Sequence, residues 1–99
     1  MVSEVTKRDG KKEVFVPQKI YSVIFKAAED IYPSPRKVNA ITQDAFTQAL
    51  AVLSKHPDSS IGVETIQDIV EESLKTLGYN NVAKAYLNIL ISKGNSKDV

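Results

Sequence analysis

Proline placement limits this chain more than any other feature, because a proline inside a helix removes a hydrogen bond and clashes with the preceding turn. The four prolines stand at 17, 33, 35 and 57, and each reads as a boundary. Pro17 suits the first turn of a helix, where its missing N–H costs nothing. From there Ile20, Val23, Ile24, Ala27 and Ile31 recur at helical spacing, with Gln18, Lys19, Ser22, Lys26 and Glu29 on the opposite face. Pro33 ends this helix, and Ser34-Pro35 reads as a cap followed by the first residue of the next. That second helix is predicted over about 35–55. Val38, Ile41, Ala45, Ala49 and Val52 form its apolar stripe, with Phe46, Leu50 and Leu53 beside it. The stretch from His56 through Pro57 to Ser60 is a loop. A third helix, over about 63–77, should bury Ile66, Ile69, Val70, Leu74 and Leu77, with Gly78 closing it. Asn80 or Asn81 can cap a fourth helix that turns Val82, Tyr86, Ile89 and Leu90 inward. The polar residues 94–99 are expected to form a flexible tail.

Ahead of the helices, residues 4–16 read as a β-hairpin, because Asp9-Gly10 is a strong signal for a tight turn between strands. Taken as a two-residue loop, the pair sets Arg8 opposite Lys11, Lys7 opposite Lys12, and Val5 opposite Val14. Like charges opposed across a ladder are mildly destabilising, so the tip is either well solvated or a seat for an anion. A hairpin alone is marginal in water, and a short segment near Ile61 is expected to add a third strand. The expected fold class is therefore α+β: a small N-terminal β-hairpin or three-stranded sheet capping a four-helix bundle. The 99 residues make one domain, with its core over about 4–93.

Composition narrows the function classes. There is no cysteine, which excludes disulfides, zinc–thiolate sites and thiol nucleophiles. No apolar run approaches the roughly 20 residues of a membrane span, and no signal-peptide pattern is present, so a cytoplasmic location is expected. Net charge is only +1, yet residues 1–26 carry six basic residues (Lys7, Arg8, Lys11, Lys12, Lys19, Lys26) against three acids (Glu4, Asp9, Glu13). A patch this compact suits a polyphosphate better than the long footprint of a nucleic acid. No glycine-rich loop precedes a Lys-Ser/Thr pair, which argues against hydrolysis of a bound nucleotide. His56 has no partner at metal spacing, and Ser59 and Ser60 lack the histidine–acid context of a nucleophile. Neither a catalytic nor a metal-binding residue is assigned.

The run Val5-Thr6-Lys7-Arg8-Asp9-Gly10, followed by Glu13, Phe15 and Lys19-Ile20, closely resembles the opening signature of ATP-cone domains. The run from Val63 to Glu71 resembles that family's third-helix motif, and Leu77-Gly78 with Val82 to Tyr86 resembles its closing motif. The three motifs occur in order across residues 4–93. The resemblance implies a four-helix bundle capped by a three-stranded sheet. It also implies a regulatory module, without catalysis of its own, that binds ATP or dATP with Mg2+. Such modules control the activity or oligomeric state of a partner, such as a ribonucleotide reductase or a repressor of reductase genes. Implied partners are thus an adenine nucleotide, a regulated enzyme or regulator, and further copies of the chain in a nucleotide-dependent homo-oligomer.

Carried over position by position, the resemblance marks Val5, Lys7, Arg8, Glu13, Lys19 and Lys93 as nucleotide-binding. The chemistry agrees: Arg8 offers a bidentate fork to phosphate and Lys7 a point charge. Lys19 adds its charge at a helix N-terminus, where the dipole favours anions. Glu13 can accept from an exocyclic amine or a ribose hydroxyl, and the backbone at Val5 can pair with a base edge. Lys93 would close the site from the end of the fourth helix. Val16, Val63 and the Ile89-Leu90 pair stand where some members carry polar or aromatic–arginine groups. Two alternatives therefore stand beside the sensor reading. One is a degenerate cone acting as a protein-interaction domain; the other is a small nucleic-acid-binding protein that uses the basic hairpin.

Overall fold

The structure, a computed structural model, describes residues 2–92. Three short strands, β1 (Glu4–Thr6), β2 (Lys12–Val14) and β3 (Ser60–Gly62), accompany four helices: α1 (Pro17–Ile31), α2 (Pro35–Ser54), α3 (Val63–Thr76) and α4 (Asn80–Ser92). The fold is α+β, as expected. In sequence order β3 falls between α2 and α3, and it completes a sheet of order β2-β1-β3. β1 pairs antiparallel with β2 and parallel with β3, so Val5 lies beside both Glu13 and Ile61.

The boundaries follow the punctuation. Pro17 and Pro35 each sit at the first position of a helix. The Ser34 hydroxyl caps α2 by accepting from the Lys37 N–H at 3.3 Å. At the end of α3, Gly78 adopts φ +87°. Its N–H donates to the Lys75 carbonyl, and the Tyr79 N–H donates to the Leu74 carbonyl at 2.8 Å. Those two bonds form a Schellman motif, and they turn the chain directly into α4.

Each helix packs against its neighbours in a closed ring, α1 on α2, α2 on α3, α3 on α4 and α4 on α1. The centre is filled by Ile24, Leu53, Ile66, Val70, Leu74 and Val82, all fully buried. Val5 and Ile61 bring the sheet into the same core. Two buried hydroxyls are answered within their own helices: Thr42 donates to the Val38 carbonyl and Ser73 to the Ile69 carbonyl, each at 2.7 Å.

Several residues assigned inward by spacing are displaced. Ile31, Val52 and Leu77 are all more than a third exposed, while Ala28 and Leu53 take core positions beside the first two. Ile69, Ile89 and Leu90 are half-buried at the core's edge. Regular spacing places a stripe, but the angle at which two helices meet decides where it leaves the interface.

The hairpin register differs by one residue from the expected one. The Lys7 N–H donates to the Lys11 carbonyl at 2.8 Å, and the Gly10 N–H donates back to the Lys7 carbonyl at 2.9 Å. Arg8-Asp9-Gly10 is therefore a three-residue loop, with Gly10 at φ +88° and no other described residue of the hairpin at positive φ. The Asp9 carboxylate accepts from the Lys11 N–H at 2.9 Å and pins the turn. A two-residue type I′ loop would need positive φ at Asp9 as well; a type I turn closed by one left-handed glycine does not. As a result Val5 faces Glu13, Lys7 faces Lys11, and Val14 turns outward, 76% exposed.

Candidate functional site

The shift in register matters for the site, because a slip of one residue sends every side chain of a strand to the other face. With Val5 opposite Glu13 and Lys7 opposite Lys11, Glu13 shares a face with Val5 and Lys7. Under the expected register it would point the other way. The consequence is direct: Lys7 Nζ lies 2.6 Å from Glu13 Oε1. Val5 is buried on that face, so the ion pair stands at the edge of the core.

Two helix N-termini border the sheet. β2 runs into α1 within three residues, and β3 runs into α3 without a break. At α1 the capping position is Val16, which offers no side-chain hydrogen bond, and no acid occupies the first turn. The start of α1 is thus electropositive and unanswered by a side chain. Lys19, exposed in this turn, adds a full positive charge. Among the described residues no carboxylate lies within 4 Å of it. At α3 the capping position is Gly62, again without a side-chain bond, but Glu64 occupies the first turn. Arg8 reaches over from the hairpin tip to this carboxylate, Nε to Oε1 at 3.1 Å. Both partners are more than half exposed, so the contact is weak and exchangeable.

One further residue belongs with this group. Gln67 is buried on α3, one turn beyond Val63 on the same face. Its amide nitrogen has no hydrogen-bond partner among the described residues. Buried polar groups are normally satisfied, and an orphan donor costs about 1–3 kcal/mol. Helical side chains lean toward their own N-terminus, which directs Gln67 toward the sheet end of the bundle.

Of the expected residues, then, the structure joins Lys7 with Glu13, buries Val5 beneath them, extends Arg8 to Glu64, and exposes Lys19 in the first turn of α1. Lys93 lies outside the described residues. Neither Gln67 nor Glu64 is among the residues that the sequence marks as nucleotide-binding. The spacing of Gln67 from Val63 and Val70, one turn before and just under one turn after, is the signal that could have put it on the buried face; the Arg8–Glu64 contact depends on tertiary structure alone. No group of three or more potential metal ligands occurs among the described residues. None of their helices is long and apolar enough to cross a membrane.

The architecture is thus a ring of four helices capped by a mixed sheet, with cations gathered on its hairpin and at a helix start. The chain matches the ATP cone domain over residues 3–90 and belongs to that family. It is similar to the ribonucleoside-diphosphate reductase subunit alpha of Chlamydia pneumoniae, 34% identical over 92 residues. The same subunit from Chlamydia trachomatis serovar D is 34% identical over 91 residues, and that from Chlamydia muridarum 35% over 91. Each match takes in 84% of this chain, which spans only 8–9% of those subunits' length.

Proposed function

We propose that the chain is an allosteric module that binds ATP or dATP between the hairpin and the sheet end of the bundle, and so controls the activity or oligomeric state of a ribonucleotide reductase or related partner. It performs no chemistry of its own. The observation that carries this reading is the Lys7–Glu13 pair at the edge of the core, beside a helix start that no side chain caps. The ATP-cone membership and the reductase relatives make adenine nucleotide the ligand to test first.

In this reading Lys7 and Arg8 hold the phosphates, Arg8 exchanging the Glu64 carboxylate for a phosphate oxygen. The start of α1 and Lys19 add the dipole and a further charge. Lys93, outside the described residues, is assigned a further phosphate contact in this reading. Val5, buried on the central strand with β2 and β3 paired on either side, supports the site from beneath rather than pairing with a base edge through its backbone. Glu13 and Gln67 are the polar readers: one accepts from an amine or ribose hydroxyl, and the other donates to a base nitrogen or sugar oxygen. Mg2+ would arrive with the phosphates rather than on a site of the protein's own. Control of a partner requires that nucleotide favour one of two states, and the hairpin tip, released from Glu64, is the element that would differ.

Calorimetric titration with ATP, dATP and GTP in the presence of Mg2+ tests the reading. Saturable binding of the adenine nucleotides is expected, with GTP weaker. Lys7→Ala/Arg8→Ala should reduce affinity at least about 10-fold, since each charge-assisted contact contributes about 1.5–3 kcal/mol. Absence of heat at millimolar nucleotide would refute the sensor reading and leave a protein-interaction domain.

A further inference from the structure

A groove of about 330 Å³ runs along the seam between α2 and α3. Val52 and Ile69 form its floor, and Gln48, Asp68, Glu72 and Thr76 stand around it. None of the expected nucleotide-binding residues lines it, and neither does any lysine or arginine. Val52, on the apolar stripe of α2, is 41% exposed here, while its neighbour Leu53 takes the core position. The floor is therefore apolar surface that the bundle itself leaves open.

The charge on the rim is as one-sided as the floor. Asp68 and Glu72 are four residues apart, so both carboxylates lie on one face of α3, an arrangement that mildly destabilises a helix. Neither makes an ion pair among the described residues; Lys75, the one base in the last turn, is held by Glu71 at 2.9 Å, although its charge is also felt by Glu72. α3 as a whole carries four acids (Glu64, Asp68, Glu71, Glu72) against that single base. An apolar trough edged by two carboxylates that make no ion pair among the described residues is complementary to a ligand with the opposite pattern of charge.

We propose that the α2–α3 groove is a docking site for a cationic amphipathic helix of a partner protein. One or two aliphatic side chains of that helix would cover Val52 and Ile69, and a lysine or arginine beside them would sit between Asp68 and Glu72. The volume suits such an anchor, since a cavity of roughly 150 Å³ admits one benzene-sized group. Laying an apolar stripe into a groove, with charges fixing the register, is a recurrent mode of helix recognition. This inference does not depend on nucleotide binding, and its test contains no nucleotide.

The probe is a synthetic helical peptide of leucine and lysine with leucines on one face, compared with its leucine–glutamate counterpart. Titrated into the ¹⁵N-labelled protein, the lysine peptide should move the amide resonances of Gln48, Val52, Asp68, Ile69 and Glu72 in a saturable way, and the glutamate peptide should not. Asp68→Asn/Glu72→Gln, both exposed positions, should weaken the lysine peptide about 10-fold while leaving the circular dichroism spectrum unchanged. The proposal is overturned if no resonances move, or if the shifts spread equally to other acids such as Glu29, Asp30 and Asp58. Binding unchanged by the double substitution would overturn it too. Concentration-dependent shifts of the groove without peptide would overturn it in favour of a second copy as the occupant.

Discussion

Gln67 shows how a single residue can bear on stability and on function with opposite sign. Its buried amide nitrogen has no partner among the described residues, so folding leaves a donor unanswered. Gln67→Met should therefore stabilise the isolated protein by about 1 kcal/mol in urea denaturation, because it removes an unsatisfied group of similar volume. The same substitution should weaken ATP, since the proposed polar reader is lost. A destabilised variant with undiminished affinity would show that Gln67 is structural. Tyr86 supplies a second prediction at this scale. Burial pushes its phenol well above the ordinary tyrosine value, and the carboxylates of Glu71 and Asp68 add to the effect. An unfolded tyrosine titrates near 10, so above that pH the unfolded chain has released a proton that the folded one retains. The contribution is intact below about pH 10, and stability falls as pH rises past it. Tyr86→Phe should flatten the alkaline part of a plot of melting temperature against pH. Tyr79 keeps a smaller slope of the same sign, raised by partial burial and by the hydrogen bond it donates to Asp44 at 3.0 Å.

At the scale of elements, the helices were legible and the hairpin register was not. Pro17, Ser34-Pro35 and Gly78 act through local backbone chemistry, so their meaning survives without knowledge of the fold. Gly78→Ala should accordingly cost about 1–2 kcal/mol, the penalty of a left-handed conformation for a residue with Cβ; urea denaturation measures it. Asp9-Gly10 is less decisive, because two-residue and three-residue loops both place glycine at positive φ. What selects the longer loop is the core: Val5 must pack inward beside Ile61, and no comparable site awaits Val14. That choice also sets Glu13 beside Lys7, a contact that the residue identities alone do not give. The exposure of Val52 has the same origin. Its spacing matches the stripe of α2, but it falls where that stripe leaves the α3 interface.

The whole molecule is compact, with a radius of gyration of 12.9 Å, close to the value of about 13 Å for a 100-residue domain. A core this small leaves little reserve. Leu74→Ala, at a fully buried position, should cost about 2–5 kcal/mol and remove a large share of a total of about 5–15 kcal/mol. Charge is unevenly placed: cations gather on the hairpin and the start of α1, and acids without an ion pair among the described residues lie on the α2–α3 flank. In the proposed function, adenine nucleotide binds at the first of these regions and not at the second. An NMR titration of the ¹⁵N-labelled protein with Mg-ATP tests it most directly. Saturable shifts concentrated at Val5 to Glu13, Lys19 and Gln67, with Val52, Ile69 and Glu72 unmoved, are the predicted result. Shifts centred on the α2–α3 groove, or no saturable shifts at millimolar ATP, would contradict it.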